Sequence, residues 1–246
     1  VGYKKRRKQL TLVSTWSLLM NFSFRVLLCI VATLPSTFAN SQERNDTKNQ
    51  ATSQTILFLG NSLTAGYGLE ESSAFPHLIE QKIDSLGWAF EVINAGLSGE
   101  TSSGGLRRID WLLKRKIDVL ILELGGNDAL RGIDLNVTKR NLQGIIEKTK
   151  NKYPQVRIVI TGMQVPPNLG VSYTKTFRRI YPALAKDNKA RLIPFLLAGV
   201  GGIPRLNQSD GIHPTAAGHK IVAETVWKVL RPLLEEMREE TTNRSK

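Results

Sequence analysis

The sequence predicts an α/β protein, a parallel sheet with helices on both of its faces. Three observations predict it. From Gln54 onward, short apolar runs alternate with longer segments of helical period. Repeated strand-then-helix order closes into parallel pairs through right-handed crossovers. The runs themselves are continuously apolar, as strands buried on both sides are, and they end in Gly, Asn, Ser, Asp and His.

Taken in order, 55–59 (TILFL) is the first strand, ended by Gly60. Phe75, Leu78, Ile79, Ile83 and Leu86 recur at spacings of three and four and predict a helix over 74–86. Residues 90–93 (FEVI) form the second strand. Leu106, Ile109, Leu112 and Leu113 share one face of a helix over 105–116. The run 119–124 (VLILEL) is the most apolar and is placed at the centre of the sheet. A helix over 135–151, a strand at 157–161 (RIVIT) and a helix over 174–188 follow. The weakest strand, 191–193, precedes a closing helix over 216–237. The domain therefore spans 54–237, with 238–246 a polar tail and no internal repeat.

Residues before 54 read differently. Arg25 precedes the apolar run 26–34 (VLLCIVATL), and Thr37 and Ala39 are small residues at the positions a signal peptidase inspects. Nine apolar residues are too few to span about 30 Å of hydrocarbon as a helix, so a signal cleaved near Ala39 fits better than an anchor. Met20 begins a signal of ordinary proportions, so translation is expected to start there, with 1–19 upstream of the true start. Residues 40–53 form a polar, flexible lead-in. The sole cysteine, Cys29, lies in the signal, so the exported chain has neither a disulfide nor a thiol nucleophile. Its destination is the periplasm or the medium.

The chain has 246 residues with 41% apolar and 22% charged, the proportions of a globular protein rather than a disordered or collagen-like one. Its formal charge of +13 points at first to an anionic partner. Six of the basic residues lie in 1–39 with no acidic one, and without that segment the charge falls to +7. Nucleic acid is therefore not expected. Weak contact with an anionic membrane surface remains an expectation, for a protein that acts as a monomer.

Functional residue types collect where the strands end, the place where chemistry gathers in open parallel sheets. Gly60-Asn61-Ser62 follows the first strand and Gly96-Leu97-Ser98-Gly99 the second. Gly126-Asn127-Asp128 follows the third, and Asp210-Gly211-Ile212-His213 lies beyond the fifth. Together they supply what acyl transfer by an activated serine requires. Ser62 sits at a sharp turn into a helix, whose N-terminus favours developing negative charge. His213 can take the serine proton, and Asp210 can orient the imidazole from three residues away. The N–H groups of Ser62 and Gly99 and the amide of Asn127 can converge on an oxyanion.

At these residues the chain resembles the SGNH (GDSL) hydrolase superfamily. Four blocks appear in order: GNSLTAGYG with Ser62, NAGLSGETS with Gly99, GGND with Asn127, and DGIHP with Asp210 and His213. ELGGNDALRG, IYPALAK and IPF extend the likeness to the branch of bacterial arylesterases, thioesterase I and lysophospholipase L1, over roughly 54–235. The resemblance implies a flavodoxin-like three-layer α/β/α fold with a five-stranded parallel sheet. It implies Ser62, Asp210 and His213 as the catalytic triad and Ser62, Gly99 and Asn127 as the oxyanion hole. It also places Pro166, Pro167 and Asn168 in a loop that contacts the acyl chain. The usual Asp of GDSL is Asn61 here, a departure that bears on the geometry of the turn.

Other conspicuous residues receive structural readings. Glu123 is expected to be a hydrogen-bonded brace near the site, and Asp128 a brace of its own loop. His77 is expected in a surface or packing role. His219 is a competitor as base but has no acid partner at short spacing and falls inside the last helix. Trp88, Trp111 and Trp227 are expected in core or surface packing. Arg107, Arg108, Lys114, Arg115 and Lys116 are expected to form a solvated helix face. No P-loop, GxGxxG, HExxH or zinc spacing is present, and the mechanism calls for neither cofactor nor metal. The expected activity is hydrolysis of carboxylic esters: lysophospholipids, aryl esters or acyl thioesters. The rivals are a carbohydrate O-deacetylase on the same fold and a non-catalytic binding module.

Overall fold

The computed structural model describes residues 53–244. The readings for 1–39, and for the lead-in before Ser53, concern residues outside that range.

Five strands form one sheet: β1 (Gln54–Gly60), β2 (Phe90–Gly96), β3 (Val119–Glu123), β4 (Arg157–Thr161) and β5 (Arg191–Ile193). All pair in parallel, in the order β2-β1-β3-β4-β5. The apolar β3 is central and buried along its whole length, as its composition predicts. Among the described residues, seven α-helices connect and cover the sheet: α1 (Ser62–Ala65), α2 (Phe75–Ser85), α3 (Ser102–Leu112), α4 (Gly126–Leu130), α5 (Leu135–Lys152), α6 (Val171–Asp187) and α7 (Ala216–Arg244). α2 packs against α7, α3 against α5 and α5 against α6, which makes the three layers. The strand order is the flavodoxin-like one. After β1 the chain steps outward to β2, then crosses back to β3. The loops after β1 and β3 therefore part, leaving a crevice at the carboxyl edge where a ligand can sit.

The structure departs from the sequence reading at several element ends, each for a local reason. α1 and α4 have 4 and 5 residues, too few to show a helical period. β2 runs three residues past Ile93, because Asn94, Ala95 and Gly96 pair with Phe58, Leu59 and Gly60. α3 begins at Ser102 because the Thr101 side chain accepts from Gly104 N at 3.3 Å. It ends at Leu112, which leaves Lys114, Arg115 and Lys116 in the turn to β3. α7 continues through the polar segment after Met237. Those last turns contain good helix formers and are pinned to the sheet's amino edge. Arg157 reaches Glu240 and Arg191 reaches Glu236, each at 2.5 Å, and Arg238 lies 4.8 Å over the Trp88 ring.

Candidate active site

The site begins where β1 turns directly into α1. Gly60 permits that turn: a Cβ there would stand 1.9 Å from Thr64 Oγ1 and 2.6 Å from Glu123 Oε2. Asn61 caps α1, its Oδ1 accepting from Leu63 N at 2.8 Å. Ser62 follows as the first helical residue, so no carbonyl within α1 can take its N–H. Beneath the turn lies Glu123, buried at the end of β3. Its Oε2 accepts from Asn61 N at 3.0 Å and Thr64 Oγ1 at 2.9 Å, and its Oε1 from Asn61 Nδ2 at 2.8 Å. Burial pushes this carboxyl up to about 7, while the donors from Asn61 and Thr64 pull it back down. The brace that the sequence suggests for Glu123 is thus a brace of the Ser62 turn.

The loop beyond β5 brings its two groups to the same place. His213 Nε2 lies 2.8 Å from Ser62 Oγ, and His213 Nδ1 lies 2.7 Å from Asp210 Oδ2. Asp210 Oδ1 accepts from the backbone N–H of Ile212 at 2.8 Å and of His213 at 3.0 Å. Those bonds, led by the backbone and ring of His213, hold the Asp210 carboxyl down at about 2. An anionic Asp210 accepts the Nδ1 proton, which leaves Nε2 as the acceptor facing the serine hydroxyl. Gln208 Nε2 donates to Tyr67 O at 2.7 Å and to Pro214 O at 3.1 Å, fixing the loop against the segment after α1. The Tyr67 ring covers His213 at 4.6 Å between centroids.

Gly99 and Asn127 arrive from the loops after β2 and β3. Leu97 N donates to Gly60 O at 3.0 Å, which sets the Gly99 loop beside the serine turn. Gly99 has φ +79°, a left-handed conformation that glycine adopts without penalty. Asn127 Nδ2 donates to Glu100 O at 2.9 Å. A primary amide has a second hydrogen to offer. Asp128 fastens these two loops together, accepting from Ser102 N at 2.8 Å and from the hydroxyls of Ser102 and Thr138. It braces, as expected.

Pro166, Pro167 and Asn168 lie in the loop after β4, where Pro167–Leu169 forms a 3-10 turn. What ties that loop to the site is α4. Met163 packs toward Gly126, and Tyr173 OH donates to Ala129 O at 3.2 Å. Arg108 corrects the expectation of a solvated basic face. It turns inward, pairing with Glu100 and donating to Ala95 O at 2.6 Å, while Arg107 stays exposed. His219 is buried in α7, where Nδ1 accepts from Phe75 N at 3.2 Å. Burial, and secondarily the charge of His213, lower it to about 4, so the ring is neutral. His77 pairs with Glu80 at 3.2 Å, and Trp88 packs on Trp227 at 6.0 Å, whereas Trp111 is 67% exposed. Sequence reasoning missed Tyr67 and Arg131. The latter holds Gly99 O at 3.0 Å. Both lie inside quoted blocks, Tyr67 in GNSLTAGYG and Arg131 in ELGGNDALRG, and that position was the signal that could have found them.

A family model described as the GDSL-like lipase/acylhydrolase family matches residues 58–221. The chain belongs to this family. Esterase TesA from Pseudomonas aeruginosa is 40% identical to this GDSL hydrolase over 186 residues, covering 75% of this chain and 92% of that one. Thioesterase 1/protease 1/lysophospholipase L1 from Escherichia coli is 38% identical over 187 residues, covering 75% and 86%. The crystal structure of the psychrotrophic esterase EstA from Pseudoalteromonas, inhibited by monoethylphosphonate, superposes with a TM-score of 0.70 at 31% identity, covering 74% and 100%. The protein is an SGNH-type esterase.

Proposed function

We propose that the protein hydrolyses esters through an acyl-enzyme on Ser62. The observation that carries this reading is the unbroken chain Ser62 Oγ–His213 Nε2 at 2.8 Å and His213 Nδ1–Asp210 Oδ2 at 2.7 Å. Ser62 Oγ attacks the ester carbonyl carbon as His213 Nε2 takes its proton. The carbonyl oxygen becomes an oxyanion facing Ser62 N–H, Gly99 N–H and the free hydrogen of the Asn127 amide. Collapse expels the alcohol, which leaves with the proton from His213. A water, deprotonated by the same ring, then releases the acid and regenerates the serine.

The surroundings favour an apolar substrate over a sugar acetate. Among the described residues, eight large hydrophobic side chains are exposed, and six of them, Tyr67, Leu97, Leu130, Leu169, Val171 and Ile212, belong to the loops and helix ends that follow the strands at the sheet's carboxyl edge. We infer that they receive an aliphatic or aromatic group, with Pro166, Pro167 and Asn168 on the same rim. Two relatives are named as esterase and thioesterase/lysophospholipase, and lysophospholipids, aryl esters and acyl thioesters are the substrates this reading places first. Export as a monomer through the signal-like segment 20–39 completes the proposal.

A p-nitrophenyl ester series from acetate to palmitate tests it, with Ser62→Ala alongside. Turnover that rises beyond acetate and is lost in the variant is expected. Equal turnover by both proteins overturns the mechanism, and activity confined to acetate, with acetate released from polysaccharide, favours the deacetylase.

A further inference from the structure

The family signature spells Gly-Asp-Ser-Leu, yet this chain has Gly60-Asn61-Ser62-Leu63. What stands opposite gives the substitution a meaning. Of the donors that meet the Glu123 carboxylate, Asn61 supplies two, its backbone N–H and its side-chain Nδ2, and Thr64 the rest. The other end of the same amide, Oδ1, caps α1 through Leu63 N. An amide serves both ends because it is donor and acceptor at once. An aspartate at 61 could cap Leu63 but would face Glu123 with a second oxygen, and two carboxylates at about 3 Å keep a proton between them.

We propose that Glu123 is a positioning residue for Ser62, and that the turn requires one negative charge shared between positions 61 and 123, supplied in this protein by Glu123 with Asn61 as its amide partner. The argument rests on the assignment of Ser62 as nucleophile. With the charge present, every donor on the turn has an acceptor and Ser62 is held at its distance from His213. With no charge, an amide at 123 sets N–H against N–H, and Asn61 must rotate and abandon Leu63. With two charges, the carboxylates repel and the turn opens. The other groups around Glu123 leave it the charge that matters. Tyr181 of α6 is buried and donates to Leu124 O. Asp128 is held by Ser102 and Thr138. Arg108, which reaches Gly60 O at 3.4 Å, is paired with Glu100.

The count of charges predicts a reciprocal exchange. In Asn61→Asp/Glu123→Gln, the new carboxylate would cap Leu63 and accept from the amide at 123, whose oxygen would take Asn61's former N–H contact and Thr64. One charge remains and all donors are met. We expect Glu123→Gln to lower kcat by about 10- to 100-fold at about pH 8–9 with KM little changed, since misplacing a reacting group by about 1 Å costs up to that much. The gap is expected to narrow toward about pH 6 as the parent's Glu123 takes up a proton. Asn61→Asp is expected to work near neutral pH, where one proton is retained, and to lose kcat as pH rises and the second carboxylate ionises. The double variant is expected to regain kcat to within about threefold of the parent and to lack that alkaline loss.

Kinetics on a p-nitrophenyl ester from pH 6 to 9, for the parent, both single variants, the double variant and Ser62→Ala, read all of this. Circular dichroism confirms that each variant is folded. A pH profile of Asn61→Asp that follows the parent's, or a double variant no faster than Glu123→Gln, overturns the proposal. An active Ser62→Ala instead overturns the nucleophile assignment, so the two failures are distinct.

Discussion

Two carboxylates serve the Ser62 hydroxyl, and their settings are opposite. Asp210 stands in an open loop with its side chain 37% exposed, surrounded by N–H donors, and its carboxyl is held at about 2. Glu123 is buried at the end of the central strand and is raised to about 7, although backbone and side-chain donors of Asn61 and Thr64 face it. The difference shows that hydrogen bonds alone do not decide a carboxylate's charge. In the loop, water already solvates Asp210, so its bonds only add to the stability of the anion. Under the turn, the bonds must first offset desolvation, and they do so in part. Asp210 also touches the group that moves the proton, whereas Glu123 touches only the backbone and side chains that place the serine.

The largest effect expected from this contrast falls on Asp210. Asp210→Asn removes the charge that fixes the His213 tautomer and offsets the imidazolium. It should lower kcat by about three to four powers of ten, with the fold intact by circular dichroism. A loss no greater than that of Glu123→Gln would erase the distinction between acting on the proton and acting on the geometry.

A second consequence concerns stability against pH, where the two groups have opposite signs. A depressed carboxyl contributes stability above its unfolded value, so Asp210's share is present above about 3.8 and is lost as pH falls toward about 2. A raised carboxyl does the reverse. Glu123 favours the fold below about 4.5, and that contribution is lost as pH rises through about 7. The shift corresponds to about 3 kcal/mol. Urea unfolding at pH 4.5, 6 and 7.5 should show the parent losing about that much relative to Glu123→Gln across the window. A constant difference between the two proteins would mean that Glu123 does not titrate there.

Much of this was legible in the sequence, though not for every residue. Ser62, Asp210, His213 and Asn127 stand out because each follows a strand in a short polar block, and strand ends in a parallel sheet converge. The central position of β3 followed from unbroken apolarity. Glu123 could be placed near the site only because an acid inside an apolar strand must find partners. Which partners they were depended on the register Gly60↔Glu123 between β1 and β3, and register is a product of packing. Arg108 was misread for the same reason. Its spacing puts it among solvated bases, while the carbonyls of Gly60 and Ala95 that draw it inward come from β1 and β2 and meet it only in the folded sheet. α1 escaped because a four-residue helix is specified by its cap and by Gly60, not by a period.

The smallest effect expected belongs to His219, which is six residues from His213 and has the same ring but different work. Its Nδ1 is occupied by Phe75 N, and it is lowered from 6.5 to about 4, mainly by burial. A lowered histidine resists protonation in the fold, so its share of stability is present above about 6.5 and is lost as pH falls toward 4. That slope opposes the slope of Glu123 over nearly the same window, so the parent's stability should change little between pH 4.5 and 6.5 although two buried groups titrate. His219→Leu should remove one slope and expose the other, so that the variant becomes steadily less stable as pH rises through this range. It should also cost about 1–2 kcal/mol at neutral pH for the unmet Phe75 N–H, with kcat within about threefold of the parent. His219→Gln, which keeps an acceptor for Phe75, should recover part of that cost without restoring the slope. A His219→Leu protein whose stability stayed flat with pH would show that the offset does not exist and that Glu123 and His219 are uncoupled from folding in this window.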